Sequence, residues 1–280
     1  MNRLALRTAI LTAATVLSLL FPIRLTAQEP ANLPETKAPA PAQVAPPANQ
    51  APTPQPPARD AYWTAHDKQL LNDFGWLARF KEDDMKLGAP AAGENRIVFM
   101  GDSITEAWKF TGPTGSFNDK PYVNRGISGQ TTPQMLVRFR QDVIDLNPKV
   151  VVILAGTNDI AGNTGPMTLQ QTEANIASMA DLARANHIKV VLCSILPAFD
   201  YPWKPGLTPA PKILTLNTWM KSYATDKGYV YVDFHTAMKD DRDGLPKNLS
   251  GDGVHPLPAG YAVMTPLVEA GIAKALKSAR

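Results

Sequence analysis

Two short segments of the chain carry residue types that could support nucleophilic catalysis. Ser103 follows Gly101 and Asp102 directly after an apolar run, a position that would expose its hydroxyl group in a cleft at the end of a strand. Asp252 precedes His255 by three residues, so its carboxylate can reach Nδ1 of the imidazole if the chain turns, which leaves Nε2 free as a base. Each segment alone is also compatible with an ordinary turn.

Two further segments, residues 124–129 and 156–159, combine glycine with asparagine where predicted strands end. Glycine lets backbone N–H groups approach a ligand closely, and an asparagine amide donates hydrogen bonds without carrying a charge. These groups are the materials of an oxyanion hole, which stabilises negative charge on a carbonyl oxygen. Taken alone, either segment is better explained as a plain turn.

The remaining histidines and the single cysteine are weaker candidates. His66 lies within a predicted helix and His187 at a predicted helix-to-strand turn, whereas His235 follows a predicted strand and stays a reserve candidate for the base. One cysteine excludes an intramolecular disulfide and a cysteine-based zinc cluster. Cys193 lies in an apolar run with no activating neighbour, which predicts a buried core residue.

The elements that must position these residues alternate between strands and helices. Apolar runs predict strands, and capping residues with helical spacing predict the helices between them. The strands are predicted at residues 96–100, 122–124, 149–154, 189–195 and 229–232, and the helices begin near 132, 168, 213 and 258. This alternation predicts one domain with a doubly wound, mostly parallel α/β sheet covered by helices on both faces. Ligands bind at the carboxyl ends of such strands.

Two details of the helices are left open by the pattern. Apolar residues from Trp63 to Phe80 recur at helical spacing and predict an additional helix over about residues 62–86, which would pack against the rest of the domain. Pro266 either kinks the last helix or starts a second one.

The N-terminal part of the chain has the composition of an export signal and a spacer. Residues 1–27 hold three arginines, two of them before a short apolar stretch, and end in small residues, which predicts a signal peptide, with an uncleaved anchor as the alternative. Residues 28–58 contain ten prolines and eight alanines and predict a disordered linker. The predicted domain therefore covers residues 59–280, is exported to the periplasm or the exterior, and has no stable membrane insertion after cleavage.

Charge and motif searches exclude several other classes. The formal charge is +3 for the whole chain, and basic residues form no block, so a nucleic-acid partner is not expected. The Gly-x-Ser-x-Gly elbow of α/β-hydrolases is absent from the sequence. A phosphate-binding Gly-x-x-x-x-Gly-Lys-Ser/Thr loop is absent as well, which argues against a nucleotide enzyme.

The four segments together carry far more information than any one of them. They occur in the order serine, glycine, asparagine and aspartate–histidine, and they resemble the marker blocks of the SGNH hydrolases, also called GDSL lipases and esterases. The resemblance implies that Ser103 is the nucleophile and that His255 and Asp252 complete a catalytic triad. It also implies an oxyanion hole formed by the N–H groups of Ser103 and Gly129 and the side chain of Asn158, with no metal or cofactor.

The resemblance covers roughly residues 93–275, and two positions in it depart from the family pattern. Ile104 stands where the family has leucine, and Gln130 stands where many members have aspartate. Neither change touches a catalytic role, but Gln130 leaves the neighbouring hydrogen bonding open. The predicted helix over residues 62–86 lies outside the family core.

A loop at residues 197–206 indicates the class of substrate. It follows a predicted strand and carries Tyr201 and Trp203 between prolines, so its rings could form a preformed surface for sugars, or simply pack within the loop. The sequence therefore predicts an exported serine esterase that removes short acyl groups, most of all acetyl, from carbohydrate. The alternatives are a lipase-like or lysophospholipase-like acyl hydrolase, and a catalytically silent glycan-binding module of the same fold.

Overall fold

The structure is a computed structural model and describes residues 61–111, 115–118 and 120–278. The predicted signal peptide (1–27) and linker (28–58) lie outside the described residues. Five strands form the sheet: β1 Ile97–Gly101, β2 Tyr122–Gly126, β3 Val150–Leu154, β4 Lys189–Cys193 and β5 Val230–Val232.

All the strand pairs are parallel, and the strand order is β2-β1-β3-β4-β5. The doubly wound α/β fold predicted from the sequence is therefore confirmed. The order reverses between β1 and β3, and the crevice at such a switch point is where doubly wound proteins bind their ligands.

Nine α-helices are described. They are α1 Ala61–Asn72, α2 Lys81–Leu87, α3 Ser103–Glu106, α4 Thr132–Asp142, α5 Thr157–Ala161, α6 Leu169–Ala185, α7 Ala210–Lys227, α8 Phe234–Met238 and α9 Pro258–Lys277. The sequence predicts loops at α3, α5 and α8, because helices of four or five residues are too short to show a helical period. Among the described helices, none has the length and apolar character that crossing a membrane requires.

Alternate strand residues feed two apolar cores, one on each face of the sheet. Val98 and Met100 pack with side chains of α4, α6 and α7, whereas Ile97 and Phe99 pack with α9 and with the aromatic side chains after α3. Cys193 is fully buried in the second core, as the sequence predicts, and burial raises the pKa of its thiol.

The stretch at residues 62–86 is not the single helix that its apolar spacing predicts. The chain leaves α1 at Asp73, whose carboxylate accepts hydrogen bonds from the N–H groups of Leu77 and Ala78, at 2.8 and 3.0 Å. Trp76 adopts a left-handed backbone with φ 54° in the same turn. A carboxylate that satisfies nearby N–H groups competes with helix formation, and the turn separates α1 from α2.

The apolar side chains of this stretch are mostly not core residues either. Leu71 is 88% exposed, Phe74, Trp76 and Leu77 are partly exposed, and Phe80 is buried. The predicted packing of this stretch on the domain therefore involves only a small apolar contact.

The last helix continues through Pro266 to Lys277, so no second helix begins at the proline. Pro266 lacks the N–H that would bond one turn back. The residue before it, Thr265, donates its hydroxyl to the carbonyl of Tyr261 at 2.8 Å.

Candidate active site

The switch point of the sheet places Ser103 and Asn158 on neighbouring connections. Gly101 ends β1 and is paired with Leu154, which ends β3. Ser103 then opens α3, and Asn158 lies in the first turn of α5. A Cβ at Gly101 would lie 2.0 Å from Oγ1 of Thr105, so only glycine lets α3 fold back this closely on the strand.

The hydroxyl group of Ser103 contacts the imidazole of His255. Ser103 Oγ lies 2.9 Å from His255 Nε2, and Nδ1 of the same ring lies 2.6 Å from Oδ2 of Asp252. A proton on Nδ1 that is donated to the carboxylate leaves Nε2 as an acceptor for the serine proton. The arrangement can therefore activate the hydroxyl group as a nucleophile.

The turn at residues 250–255 fixes the carboxylate of Asp252. Its Oδ1 accepts hydrogen bonds from the N–H groups of Val254 and His255, at 2.9 and 2.8 Å, and from the hydroxyl of Ser250 at 3.1 Å. Burial opposes ionisation of Asp252, but the hydrogen bonds from the His255 ring and from the two N–H groups outweigh it and lower the pKa to about 2. Asp252 is therefore a carboxylate above about pH 2.

A group of hydrogen-bond donors lies on the other side of Ser103. Gly129 has a left-handed backbone with φ 77°, which favours glycine. Asn158 donates from Nδ2 to the carbonyl of Gln130 at 3.0 Å, and its Oδ1 accepts from Asn163 Nδ2 at 2.8 Å. In the described part of the chain, the N–H groups of Ser103 and Gly129 have no hydrogen-bond acceptor. These two N–H groups can therefore receive a negatively charged oxygen, and Asn158 lines the same cavity beside them.

Asp102 is a second carboxyl group beside Ser103, and it is completely buried. Its Oδ1 accepts from the N–H of Ile104 at 3.0 Å and caps α3, and its Oδ2 lies 3.4 Å from Nδ2 of Asn158. Burial raises the pKa of Asp102 to about 7, with the hydrogen bond from Ile104 acting in the opposite direction.

The side chain of Gln130 links the N-terminal region to a buried arginine. Its Oε1 accepts from Nε of Arg138 at 2.6 Å, and its Nε2 donates to the carbonyl of Gly75 at 3.0 Å. Arg138 is fully buried and donates to the carbonyls of Gly101 and Arg125, at 3.1 and 2.8 Å, close to the ends of β1 and β2. The hydrogen bonding that the sequence left open at Gln130 is thus a bridge between these two groups.

Sequence reasoning did not identify Arg138 or Asn163 as part of this region. A signal existed for Arg138, because Arg138 and its ion-pair partner Asp142 recur at the same helical spacing as the buried apolar residues Met135 and Phe139. A charged pair on an apolar face indicates a buried network. Asn163 follows a glycine after α5 and has no comparable signal.

A cavity of about 290 Å³ opens over Ser103. It is lined by Ser103, Ser128, Gly129, Asn158, Asn163, Trp203 and His255. Most of these groups are polar, and Trp203 is the one large apolar side chain among them. The structure therefore brings five of the predicted site residues to one opening, with Asp252 directly behind His255.

Tyr201 does not contact this cavity, contrary to the prediction from the sequence. Its side chain is 0% exposed and stacks under Trp203, with ring centroids 4.9 Å apart and an angle of 11° between the planes. Trp203 donates from Nε1 to Asn163 Oδ1 at 3.2 Å. The sequence signals an aromatic loop, but it does not show which of the two rings faces the core.

The reserve candidate His235 lies away from the cavity. It is buried on α8, its backbone N–H donates to Oγ of Ser194 at 2.9 Å, and burial lowers the pKa of its imidazole. Over the described residues, no three side chains of histidine, cysteine, aspartate or glutamate are grouped so that they could hold a metal ion.

Comparison with known proteins shows which family and which solved structures the chain is similar to. The sequence model of a family described as GDSL-like lipase/acylhydrolase matches residues 99–263. A candidate acylhydrolase from Bacteroides fragilis NCTC 9343 is 45% identical, with a TM-score of 0.70 over 73% of this chain and 99% of that chain. A GDSL-like lipase from Bacteroides thetaiotaomicron VPI-5482 is 44% identical, with a TM-score of 0.69 over 72% of this chain and 100% of that chain.

A curated relative is an acetylxylan esterase from Xylanibacter ruminicola. It is 28% identical over 247 residues, which are 75% of this chain and 48% of the relative. The chain thus spans about half the length of this relative.

Proposed function

The chain belongs to the GDSL-like lipase/acylhydrolase family and is an ester-bond hydrolase, and from this premise we propose that it is an exported serine esterase that removes short acyl groups, above all acetyl, from carbohydrate. The observation that carries the mechanism is the continuous hydrogen-bonded chain from Ser103 through His255 to Asp252. Ser103, at one end of this hydrogen-bonded chain, lines the same cavity as Gly129, whose N–H has no acceptor among the described residues.

In the first half of the reaction, Ser103 Oγ attacks the ester carbonyl carbon while His255 Nε2 takes the hydroxyl proton. The carbonyl electron pair moves onto the oxygen, where the N–H groups of Ser103 and Gly129 and the amide of Asn158 stabilise it. When the tetrahedral intermediate collapses, His255 returns the proton to the leaving alkoxide. The products of this step are an alcohol and an acyl-Ser103 ester.

In the second half, water takes the place of the alcohol. His255 removes a proton from the water as it attacks the acyl carbon, and the same oxyanion donors act again. Collapse releases the carboxylic acid, and the proton returns to Ser103. Asp252 stays ionised throughout, holds the ring orientation and stabilises the imidazolium that forms in each half.

The cavity over Ser103 favours a substrate with a small acyl group. Long acyl chains bind in deep pockets. Here the cavity is bordered by hydroxyl, amide and backbone groups, and Trp203 offers one flat ring, the kind of surface that packs against a sugar face. The similarity to an acetylxylan esterase supports the same substrate class.

A lipid or other acyl ester is the second candidate, favoured by the similarity to a GDSL-like lipase. A catalytically silent glycan-binding module would need the same fold without an activated serine. For the domain organisation, we propose a signal peptide over residues 1–27 and a linker over residues 28–58, with the hydrolase domain in the periplasm or the exterior.

A chain-length series separates these functions. The kcat/KM values on p-nitrophenyl esters from acetyl to dodecanoyl are measured beside acetate release from acetylated polysaccharide. We expect acetyl to be the best acyl group and acetate to be released from the polymer. A steady rise with chain length and no acetate from the polymer would establish the lipid candidate instead. A sulfonyl fluoride that fails to label Ser103, located by mass spectrometry, together with no hydrolysis, would establish the silent module.

The contribution of Trp203 is tested by Trp203→Ala, with Phe199→Ala as a matched control. Phe199 is an exposed aromatic residue of the same loop that does not line the cavity over Ser103. We expect Trp203→Ala to lower kcat/KM on the polysaccharide by about tenfold, the order of one aromatic contact, and to affect p-nitrophenyl acetate much less. Equal losses in the two variants would show that the loop, and not the ring, is what matters.

A further inference from the structure

Residues 73–84, here called the N-terminal segment, lie outside the sheet and contribute little to its cores. Phe80 is the buried apolar side chain of the segment, and α2, which begins within it, buries no residue. A segment with so small an apolar contact is held by its polar contacts. Two of those contacts come from α4, where Gln134 and Gln141 donate to backbone carbonyls of the segment. Three others converge on residues 126–130, here called the oxyanion loop, and on the strand end just before it.

The first contact is made at the end of the oxyanion loop. The buried amide of Gln130 donates to the carbonyl of Gly75, while the backbone carbonyl of Gln130 accepts the amide of Asn158, at 3.0 Å in each case. Gln130 directly follows Gly129, which lines the cavity and whose N–H is a proposed oxyanion donor. One residue is therefore bonded both to the N-terminal segment and to a proposed oxyanion donor.

The second contact is made at the middle of the oxyanion loop. The carboxylate of Glu106 accepts hydrogen bonds from the backbone N–H of Ser128, at 2.9 Å, and from its hydroxyl. The other oxygen of Glu106 pairs with Arg79 of the N-terminal segment at 3.4 Å. Ser128 lines the cavity, so this chain of contacts also ends beside Gly129.

The third contact is made just before the loop. Arg125, buried near the end of β2, donates from Nε to Asp84 at 2.9 Å and lies over the ring of Phe80, with 4.6 Å from Cζ to the ring centroid. The three contacts together hold the residue just before the loop, the middle of the loop and its end.

We propose that the N-terminal segment is a positioning element of the oxyanion hole and that Gln130 is the positioning residue through which it chiefly acts. The proposal rests on the oxyanion role proposed for Gly129 and Asn158. Gln130 does not touch the substrate. It fixes the distance between Gly129 N–H and Asn158, and a hydrogen-bonded donor must sit within a few tenths of an ångström to stabilise an oxyanion.

The chemistry of the side chain explains why glutamine is needed. A carboxamide can accept from Arg138 and donate to Gly75 at the same time. A carboxylate can accept from the arginine but has no hydrogen to donate, and it would repel the carbonyl oxygen of Gly75. Gln130 and the N-terminal segment are therefore matched to each other.

The test uses Gln130→Glu, which keeps the acceptor for Arg138 and removes the donor to Gly75. The control is Gln141→Met, because Gln141 donates to the carbonyl of Leu77 in the same segment at 2.7 Å but lies on the far part of α4. The measurements are kcat and KM on p-nitrophenyl acetate, the affinity of an alkyl boronic acid that forms a tetrahedral adduct with Ser103, and the midpoint of urea unfolding.

For Gln130→Glu we expect kcat and boronate affinity to fall together, by about tenfold for one buried hydrogen bond replaced by a repulsion, with KM unchanged. For Gln141→Met we expect both to stay within about twofold. Wild-type kcat in Gln130→Glu, or equal losses in the two variants, would overturn the proposal, because the contact would then serve folding alone.

Two further variants keep the proposal testable if Gln130→Glu does not fold. Arg79→Gln removes a surface partner of Glu106, and we expect kcat to fall by about twofold with KM unchanged, the order of a surface ion pair. An unchanged kcat in Arg79→Gln would overturn the proposal that the N-terminal segment positions the oxyanion hole. Asn158→Ala separates this inference from the proposed function. If this variant leaves kcat unchanged, the oxyanion role of Asn158 itself fails. If it lowers kcat while Gln130→Glu does not, only the positioning role of Gln130 fails.

Discussion

The two halves of the candidate site are built in opposite ways. The proton-transfer half, Asp252 and His255, is held by hydrogen bonds within one short turn, and its side chains are 39% and 38% exposed. The oxyanion half, around Gly129 and Asn158, is buried and held by segments far apart in the chain. A local turn is enough to orient an imidazole, whereas a fixed set of donors needs the surrounding fold.

The two carboxyl groups of the site show the same contrast. Hydrogen bonds hold the pKa of Asp252 at about 2, and burial raises the pKa of Asp102 to about 7. The environment, and not the residue type, thus separates a group that stays charged from one that burial keeps neutral below pH 7.

The largest expected effect lies in the proton-transfer half. Ser103→Ala and His255→Ala should each lower kcat by roughly 10⁴- to 10⁶-fold, because each removes the activated nucleophile. The double variant should be little worse than either one, since the residues act as a unit. Steady-state kinetics on p-nitrophenyl acetate measure this, and additive losses would contradict the triad.

The second-largest expected effect tests whether Asp252 does more than hold the imidazole of His255 in place. Asp252→Asn should lower kcat by roughly 10³- to 10⁴-fold, because the amide no longer fixes the tautomer with Nδ1 protonated. The backbone N–H groups of Val254 and His255 can still donate to the amide oxygen, so the turn should persist. A full loss of folding, seen by circular dichroism, would mean that Asp252 mainly serves the turn.

The oxyanion half should respond less strongly and in kcat alone. Asn158→Ala should lower kcat by about 10²- to 10³-fold with little change in KM, because its amide binds the developing oxyanion more strongly than the ground-state carbonyl. The same kinetics give both constants. A change confined to KM would make Asn158 a substrate-binding residue and remove the distinction between the halves.

The two carboxyl groups should affect stability in opposite pH ranges. The folded pKa of Asp252 lies below the ordinary value of 3.8, so its contribution is present above pH 4 and is lost as the pH falls towards 2. The folded pKa of Asp102 lies above that value, so its contribution is present below pH 4 and is lost as the pH rises through about 7. Urea midpoints of Asp252→Asn and Asp102→Asn, each compared with the wild type from pH 2 to 8, should show these opposite trends. The same pH trend in both variants would contradict the opposite pKa shifts of Asp252 and Asp102.

Removal of divalent metal ions is expected to have no effect on activity. EDTA should leave kcat/KM unchanged, because neither half of the proposed mechanism uses a metal ion. Loss of activity that a divalent ion restores would require Asp252 and His255 to be reinterpreted as ligands.

The sequence locates the site more reliably than it describes the site's support. Buried apolar runs predict the strands, and the rule for parallel sheets then directs attention to the ends of β1 and β3, where Ser103 and Asn158 follow. The turn around Asp252 is also visible, because the residues that interact there are three apart.

Contacts over long separations cannot be predicted in this way. Gln130 and Gly75 are 55 residues apart, and nothing in either local sequence indicates the pairing. The end of α1 at Asp73 is not predicted, because the helical spacing of the apolar residues continues past the carboxylate that interrupts the helix. The burial of Tyr201 is not predicted either, because it depends on which face of a loop packs on the core. Each of these depends on tertiary packing and not on local preference.

The stacking of Trp203 on the buried Tyr201 also bears on the thermodynamics of binding. The indole is held between a ring below it and the Asn163 oxygen that accepts its N–H. Ordering a free side chain on association costs about 0.5–1.5 kcal/mol of conformational entropy, and a ring that is already fixed avoids most of that cost. A ligand therefore meets a preorganised wall, and its affinity should depend on the flatness of the face it presents rather than on the rotation of the indole.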